Sequence, residues 1–119
     1  MPGTTKGING VYPLDTDSGW ETAGTLGTGW TADTYVARRY GSLVTLVIKN
    51  LDYSFGGDTT ALTLKSGFRP DYELEFLASD TTTTPVVASI TTAGVVTIAV
   101  TIDNAEVAIT YMTSDPFPA

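Results

Sequence analysis

Cysteine and histidine are both absent from this chain of 119 residues. The sequence therefore has no disulfide bonds, no thiolate or imidazole metal ligands, no thiol nucleophile and no histidine general base. Its stability must come from packing, backbone pairing or partners. These absences predict a protein that is not an enzyme and that carries no cofactor.

Basic residues are scarce. Six lysines and arginines stand against thirteen aspartates and glutamates, for a formal net charge of −7 at pH 7. Such a chain repels phosphate backbones and lacks the cationic surface that nucleic-acid binding needs. We therefore expect no nucleic-acid partner.

Long apolar runs are also missing, and no stretch approaches the roughly 20 residues of a membrane-spanning helix. Residues 1–7 lack the charged and then apolar profile of a signal peptide. We expect a soluble chain that is made in the cytoplasm and has no membrane partner. At 12.5 kDa and 42% hydrophobic residues, it can build one domain around one core.

The sequence divides into two parts of different character. Residues 1–34 hold seven of the twelve glycines and both tryptophans, with little alternation of apolar and polar residues. This pattern predicts an extended, irregular N-terminal arm, which would either wrap its own domain or lie on a neighbouring subunit. Trp20 and Trp30 would then either anchor the arm on a partner or cap the core.

Residues 35–119 follow a period of two and are rich in threonine, valine and isoleucine, which predicts strands. No helical period is convincing. The regular spacing of short strands predicts an all-β, antiparallel β-sandwich of jelly-roll-like form, in which consecutive strands alternate between two sheets. The predicted strands are 35–40, 42–51, 61–64, 72–78, 86–90, 95–102 and 107–112.

Alternation also assigns the faces of these strands. Val44, Leu46 and Ile48 share the face that suits the core. On the strand 72–78, Glu73 and Glu75 indicate a solvent-exposed face. Two glutamates on one face would imitate a glycosidase pair, but a solvated strand face explains them better because nothing implies a cleft or perturbed pKa values.

The strand 95–102 has a second face of a different kind. Val95, Thr97 and Ala99 make it small and semi-polar, which is typical of a subunit interface and favours a homo-oligomer. The alternative is an ordinary exposed face rich in threonine.

The acidic segment 15–21 only faintly resembles a calcium loop. Gly19 stands where an oxygen-bearing side chain is expected, and Trp20 replaces the glycine that should follow. An ordinary acidic turn explains this segment better, so we predict no metal site.

Arg38 and Arg39 are neighbours on a predicted strand and must point to opposite faces, while Arg69 is held between Phe68 and Pro70. One or more of these three arginines would make a bidentate bond to a carboxylate of a neighbouring subunit, and at most one of Arg38 and Arg39 can reach a given partner. The alternative, favoured in a chain so rich in carboxylates, is an ion pair within the chain.

Five segments in this order and spacing resemble a small β-sandwich domain of tailed-bacteriophage virion proteins, especially minor tail and decoration-type proteins of phages that infect Actinobacteria. Those segments are Arg-Arg-Tyr-Gly at 38–41, Leu-Thr-Leu at 62–64, Gly-Phe-Arg-Pro at 67–70, the glycine turn at 90–98, and the proline-containing end at 111–118. The resemblance covers roughly residues 35–119. Lys65 departs from it, since relatives often have proline before the corner.

The resemblance implies a non-enzymatic structural protein of a virion, made in the host cytoplasm. Because the sandwich is nearly the whole chain and no coiled coil precedes it, we expect a decoration protein on the outer capsid surface rather than a tail protein. It would bridge subunits of the major capsid protein, as a homotrimer by resemblance. The expected interface residues are Trp20, Trp30, Arg38, Arg69, Val95, Thr97 and Ala99.

The alternative is a minor tail or receptor-binding protein that recognises host-surface saccharides. Aromatic side chains near loops would stack on the sugar, and the candidates are Tyr35, Tyr53 and Phe55. Each of these is also a candidate for the core. A free-standing carbohydrate-active enzyme or binding module is the third and weakest interpretation.

Overall fold

The fold is an all-β sandwich, as the sequence predicts. The computed structural model describes residues 16–54, 57–79, 85–98 and 104–118. These residues contain no helix, and hence none that is long and apolar enough to cross a membrane. They form ten strands: β1 Glu21–Thr22, β2 Gly24–Leu26, β3 Trp30–Thr31, β4 Thr34–Tyr40, β5 Leu43–Tyr53, β6 Thr60–Leu64, β7 Leu74–Ala78, β8 Val86–Ile90, β9 Val95–Ile98 and β10 Ala105–Met112.

Two antiparallel sheets pack together. The first has the order β1-β4-β5-β10, with β3 beside the far end of β5, and the second has the order β2-β6-β9-β8-β7. Consecutive strands do not alternate between the sheets as expected, because β4 and β5 are neighbours in one sheet and β6 to β9 all belong to the other. The jelly-roll form is therefore not confirmed.

Tight turns explain why neighbours in sequence pair. Only Gly41 and Ser42 separate the paired residues Tyr40 and Leu43, and Gly41 has a φ of 57°, the sign that a two-residue hairpin turn demands at that place. Between β8 and β9 the predicted glycine turn is present, with Gly94 at a φ of 87°. Such short loops keep successive strands in one sheet.

The core lies between the sheets and follows the predicted alternation. Val44, Leu46 and Ile48 are all fully buried. Phe68, at the corner after β6, is fully buried too, while Glu73 and Glu75 are exposed on the predicted wet side. The period of two in β5 therefore identified the inner face correctly.

The described part of the predicted arm, residues 16–34, lies on its own sandwich, which is one of the two arrangements that the sequence left open. One extended segment crosses from β1 in the first sheet to β2 in the second and bends at Ala23. The backbone N–H of Ala23 donates to Tyr35 (2.9 Å), and its carbonyl accepts from Lys65 (3.0 Å). Residues 1–15 of the predicted arm lie outside the described residues.

The opposite side of the sandwich is joined by a backbone bridge. Ser79 follows β7 and exchanges two hydrogen bonds with Glu106 of β10, at 2.8 and 3.3 Å. The two sheets are thus linked through backbone bonds at both sides. This linkage makes the sandwich a firm support for side chains on its outer faces.

The crossing between the sheets gives a first prediction. A Cβ added at Gly24 would lie 1.9 Å from the backbone oxygen of Thr63, so Gly24→Ala must push β2 away from β6. We expect a loss of about 1–3 kcal/mol of unfolding free energy, measured by urea denaturation. The neighbouring exposed change Thr25→Ser should stay within about 0.5 kcal/mol of the parent. Equal stability of the two variants would contradict the close approach.

Candidate interaction surface

The motifs at 38–41, 67–70 and 111–118 meet around the buried side chain of Arg39. This guanidinium is fully buried and donates from Nε to the carbonyl of Gly41 at 2.7 Å. From Nη1 it donates to the carbonyls of Gly67 (2.9 Å) and Pro116 (3.2 Å). The ring of Phe117 lies 5.0 Å from the guanidinium carbon. Arg39 therefore ties the β4–β5 turn, the corner after β6 and the C-terminal tail together.

Asp115 completes this cluster from the tail. Its Oδ2 accepts the backbone N–H of Gly67 (2.9 Å) and of Arg69 (3.1 Å). The Arg69 side chain also binds it in a bidentate manner, with Nε 2.9 Å from Oδ2 and Nη2 3.2 Å from Oδ1. Arg69 is thus paired within the chain, which is the alternative that the carboxylate-rich composition favoured.

Electrostatics in the cluster follow from these contacts. Burial alone would raise the pKa of Asp115, but the hydrogen bonds from Arg69 and Gly67 outweigh it and lower that pKa. Burial also raises the pKa of Tyr111, whose hydroxyl donates to the carbonyl of Phe68 at 2.6 Å. These contacts join the β4–β5 turn, the corner after β6 and the C-terminal tail. We call the residues that make them the corner cluster: Arg39, Gly67, Phe68, Arg69, Tyr111, Asp115 and Phe117.

Arg38 points the opposite way, onto the outer face of the first sheet. Its Nε and Nη2 bind the carboxylate of Asp17 at 3.1 and 2.7 Å, again within the chain. Its guanidinium carbon lies 4.5 Å from the ring centre of Tyr40 and 5.9 Å from that of Trp20. The hydrogen bond from Arg38, with a second from the N–H of Gly19, lowers the pKa of Asp17 to about 2. The pair is thus ionised at neutral pH.

Five large hydrophobic side chains are exposed at this end of the first sheet. Tyr40, Leu43 and Met112 are 41, 38 and 52% exposed and form one row, because Leu43 pairs with Tyr40 on one side and with Met112 on the other. Trp20, 51% exposed, lies beside Arg38. Tyr72, 79% exposed, comes directly after Asp71, whose backbone N–H donates to the carbonyl of Met112. We call these five residues the outer patch. The alternation of β5 predicts that Leu43 lies on this face. The row of Tyr40, Leu43 and Met112 becomes apparent only from the pairing register of β4, β5 and β10.

The outer face of the first sheet continues from the patch with little charge. The next row is Arg38, Thr45 and Thr110, in which the two threonine hydroxyls lie 3.1 Å apart. The row after it is Val36, Val47 and Ala108. Because Arg38 is neutralised by Asp17, the middle of this face is apolar or weakly polar.

Trp30 is buried in the core of its own chain. It is 4% exposed, its indole N–H donates to the carbonyl of Asp58 at 2.7 Å, and its ring centre lies 5.0 Å from that of Tyr53. Tyr53 and Tyr35 are half-buried and pack against the core, and Phe55 lies outside the described residues. Of the two roles that the sequence left open for Trp30, the structure shows the one in which it caps the core. Tyr35 and Tyr53 do not form an exposed aromatic platform.

The predicted interface face of β9 lies on the outside of the second sheet. Val95 is half-buried, Thr97 is exposed, and Ala99 lies outside the described residues. The exposed apolar residues nearby are Val87 and Leu77, which pair across β7 and β8 and are 60 and 67% exposed. This second apolar pair was not identified from the sequence, because Leu77 lies on the side that the glutamates marked as wet.

Within the described ranges, no three acidic residues are grouped so that they could hold a metal ion. Asp17 already binds Arg38 and the N–H of Gly19. Glu73 and Glu75 lie in no ion pair that involves the described residues.

Comparison with known proteins identifies no relative. No protein-family model matches the chain, and neither a curated protein nor a solved structure matches it significantly.

The corner cluster predicts a pH dependence of stability. Because the pKa of Asp115 is lowered in the folded state, its contribution is complete above the pKa of about 3.9 of the unfolded chain and is lost as pH falls through the folded value. Asp115→Asn should cost about 1–3 kcal/mol at pH 7 and lose less stability than the parent on acidification below pH ~4. Thermal unfolding between pH 7 and pH ~2 measures this.

Glu73→Gln is the matched control, since Glu73 is exposed and lies outside every ion pair among the described residues. It should stay within about 0.5 kcal/mol of the parent at pH 7. An Asp115→Asn protein as stable as this control would contradict the assigned role of Asp115.

Proposed function

We propose that this chain is a non-enzymatic structural protein of a bacteriophage virion, and specifically a decoration protein that binds the outer capsid surface and bridges subunits of the major capsid protein. The observation that carries the proposal is the outer patch, a group of aromatic and apolar side chains exposed together at one end of a firmly linked sandwich. The resemblance of residues 35–119 to phage sandwich domains supplies the class of protein.

The composition of the patch supports a protein partner. Trp20, Tyr40, Met112 and the neighbouring Arg38 are residue types enriched in protein interfaces, and charged residues are depleted at interface centres as they are here. Exposed apolar groups of this size mark interaction sites. Burying them removes apolar area from water at roughly 25 cal/mol per Å², less the cost of ordering.

The proposal also includes a homotrimer. The outer face of the second sheet offers a separate, weakly polar surface around Thr97, Val95 and the exposed pair Val87 and Leu77. Two usable faces on one small sandwich suit a protein that contacts copies of itself and a capsid at the same time. A trimer would also multiply the contacts of each copy with the shell.

A minor tail or receptor-binding protein is the alternative, and one observation favours it. The rings of Trp20 and Tyr40 are exposed on either side of the Asp17–Arg38 pair. Aromatic faces beside a charged hydrogen-bonding pair suit a saccharide, whose apolar face stacks while its hydroxyls bond. This position differs from Tyr35 and Tyr53, which pack on the core.

Copy number separates the two functions. A decoration protein should occur in virions at the same order of abundance as the major capsid protein, because it covers the shell. A tail protein should occur at a small fraction of that number. Quantitative mass spectrometry of purified virions measures the ratio, and the low value would replace the capsid proposal with the tail proposal.

Oligomeric state tests the trimer. The purified protein should have the mass of three chains by light scattering, and Val87→Glu should reduce it to one chain because a charge would enter the apolar contact. Thr110→Glu, an equivalent change on the first sheet, should leave the mass unchanged. A monomeric parent protein would contradict this part of the proposal.

A further inference from the structure

We infer that the outer face of the first sheet docks onto a protein surface that is apolar at its centre and lined at its rim by lysine or arginine, and that a second copy of this chain does not occupy it. The inference rests on the proposed function, in which the major capsid protein supplies that surface. Its basis is the distribution of charge around the outer patch and the rows that continue from it.

The near end of the face is acidic. The N–H of Asp71 donates to the carbonyl of Met112 at 3.0 Å, which places Asp71 beside the outer patch. Its carboxylate accepts a hydrogen bond from the hydroxyl of Ser114 and lies in no ion pair within the described part of the chain. No described cation therefore pairs with the carboxylate of Asp71 at this end.

The far end is acidic as well. Asp33 and Glu106 flank Asn50, with the Asn50 side chain donating to Asp33 and its backbone N–H donating to Glu106 at 3.3 Å. The cation there is Lys49, which pairs with Thr34 across the sheet. Lys49 is six residues from Leu43, or about 20 Å along the strand, so it does not neutralise the end that holds the patch.

The other described cations are already engaged. Arg38 binds Asp17, Lys65 binds Glu21 at 2.7 Å, and Arg69 binds Asp115. Arg39 is buried in the corner cluster. The face thus presents an apolar centre between two ends with an excess of carboxylates, Asp71 at one end and Asp33 and Glu106 against Lys49 at the other. The whole chain carries a net charge of −7.

This charge pattern selects the partner. Two copies joined face to face about a two-fold axis would bring acidic ends into the same interface, and like charges in contact oppose association. A surface with a cationic rim gains both apolar burial and steering by the acidic ends.

The side chains of the outer patch are already held in place before a partner binds. Arg38 is fixed by two bonds to Asp17 and stacks against Tyr40 and Trp20, so these side chains lose less freedom when a partner arrives. Leu43 and Met112 lie next to them in the row and provide the apolar contact. Residues of this kind at the centre of an interface carry most of its affinity.

The test uses two pairs of matched variants. Met112→Ser removes an exposed apolar group from the first sheet, and Val87→Ser does the same on the second sheet. Glu106→Lys reverses a charge at the rim of the first face, and Glu75→Lys reverses one on the outer face of the second. Thermal unfolding confirms that each variant is folded, and light scattering gives its oligomeric mass.

Binding is measured by co-sedimentation with purified virions that lack this chain, prepared from a deletion mutant of the phage that encodes it. Met112→Ser should weaken binding about tenfold or more. Glu106→Lys should weaken it most at low salt and flatten its salt dependence, because steering is screened by ions. Val87→Ser and Glu75→Lys should bind as the parent does wherever their oligomeric mass is unchanged.

Each other outcome overturns the inference in a distinguishable way. If the second-sheet variants lose binding and the first-sheet variants retain it, the wrong face has been assigned while the decoration function survives. If Met112→Ser or Glu106→Lys changes the oligomeric mass, a second copy occupies the face. If the parent protein binds no capsid and is absent from virions, the proposed function fails and the inference fails with it.

Discussion

The buried guanidinium of Arg39 is the interaction on which the rest of this structure depends. A charge out of contact with water is costly unless hydrogen bonds replace its hydration. Here the replacement comes from main-chain carbonyls of Gly41, Gly67 and Pro116, which belong to three segments far apart in sequence. Those segments are fixed relative to one another because the arginine must be satisfied by all of them.

The same arrangement determines what the molecule presents to solvent. Tyr40 and Leu43 flank the turn that contains Gly41, and Tyr72 lies two residues after the corner that ends at Pro70. Met112 precedes Thr113, whose N–H donates to the carbonyl of Ser42 at 2.9 Å. The corner cluster and most of the outer patch are thus opposite sides of the same segments. The motifs at 38–41 and 111–118 thus hold the fold through Arg39 and Asp115 and also supply Tyr40 and Met112 to the outer patch.

Much of the fold follows from the period of two, and what does not follow involves partners distant in sequence. The strands from β4 onward, and the burial of Val44, Leu46 and Ile48, were predictable because alternation is local. The strands β1 to β3 are only two or three residues long, which is too short to show an alternating pattern. Residues 16–34 therefore showed only the composition of an irregular arm, and their strands could not be predicted. The two tryptophans in that stretch differ only in tertiary contacts, since Trp30 meets Tyr53 and Asp58 while Trp20 meets Arg38.

The candidate surface was less predictable than the fold, for the same reason. Alternation states that Arg38 and Arg39 point to opposite faces, but not which one is buried, and it cannot align Tyr40, Leu43 and Met112 from three different places in the chain. The resulting face is apolar enough to favour self-association. Carboxylates at both ends oppose contact between two such faces, while a cationic partner removes that opposition. In the docking that we infer, the exposed patch supplies the apolar contact and the carboxylates at its ends select a cationic partner.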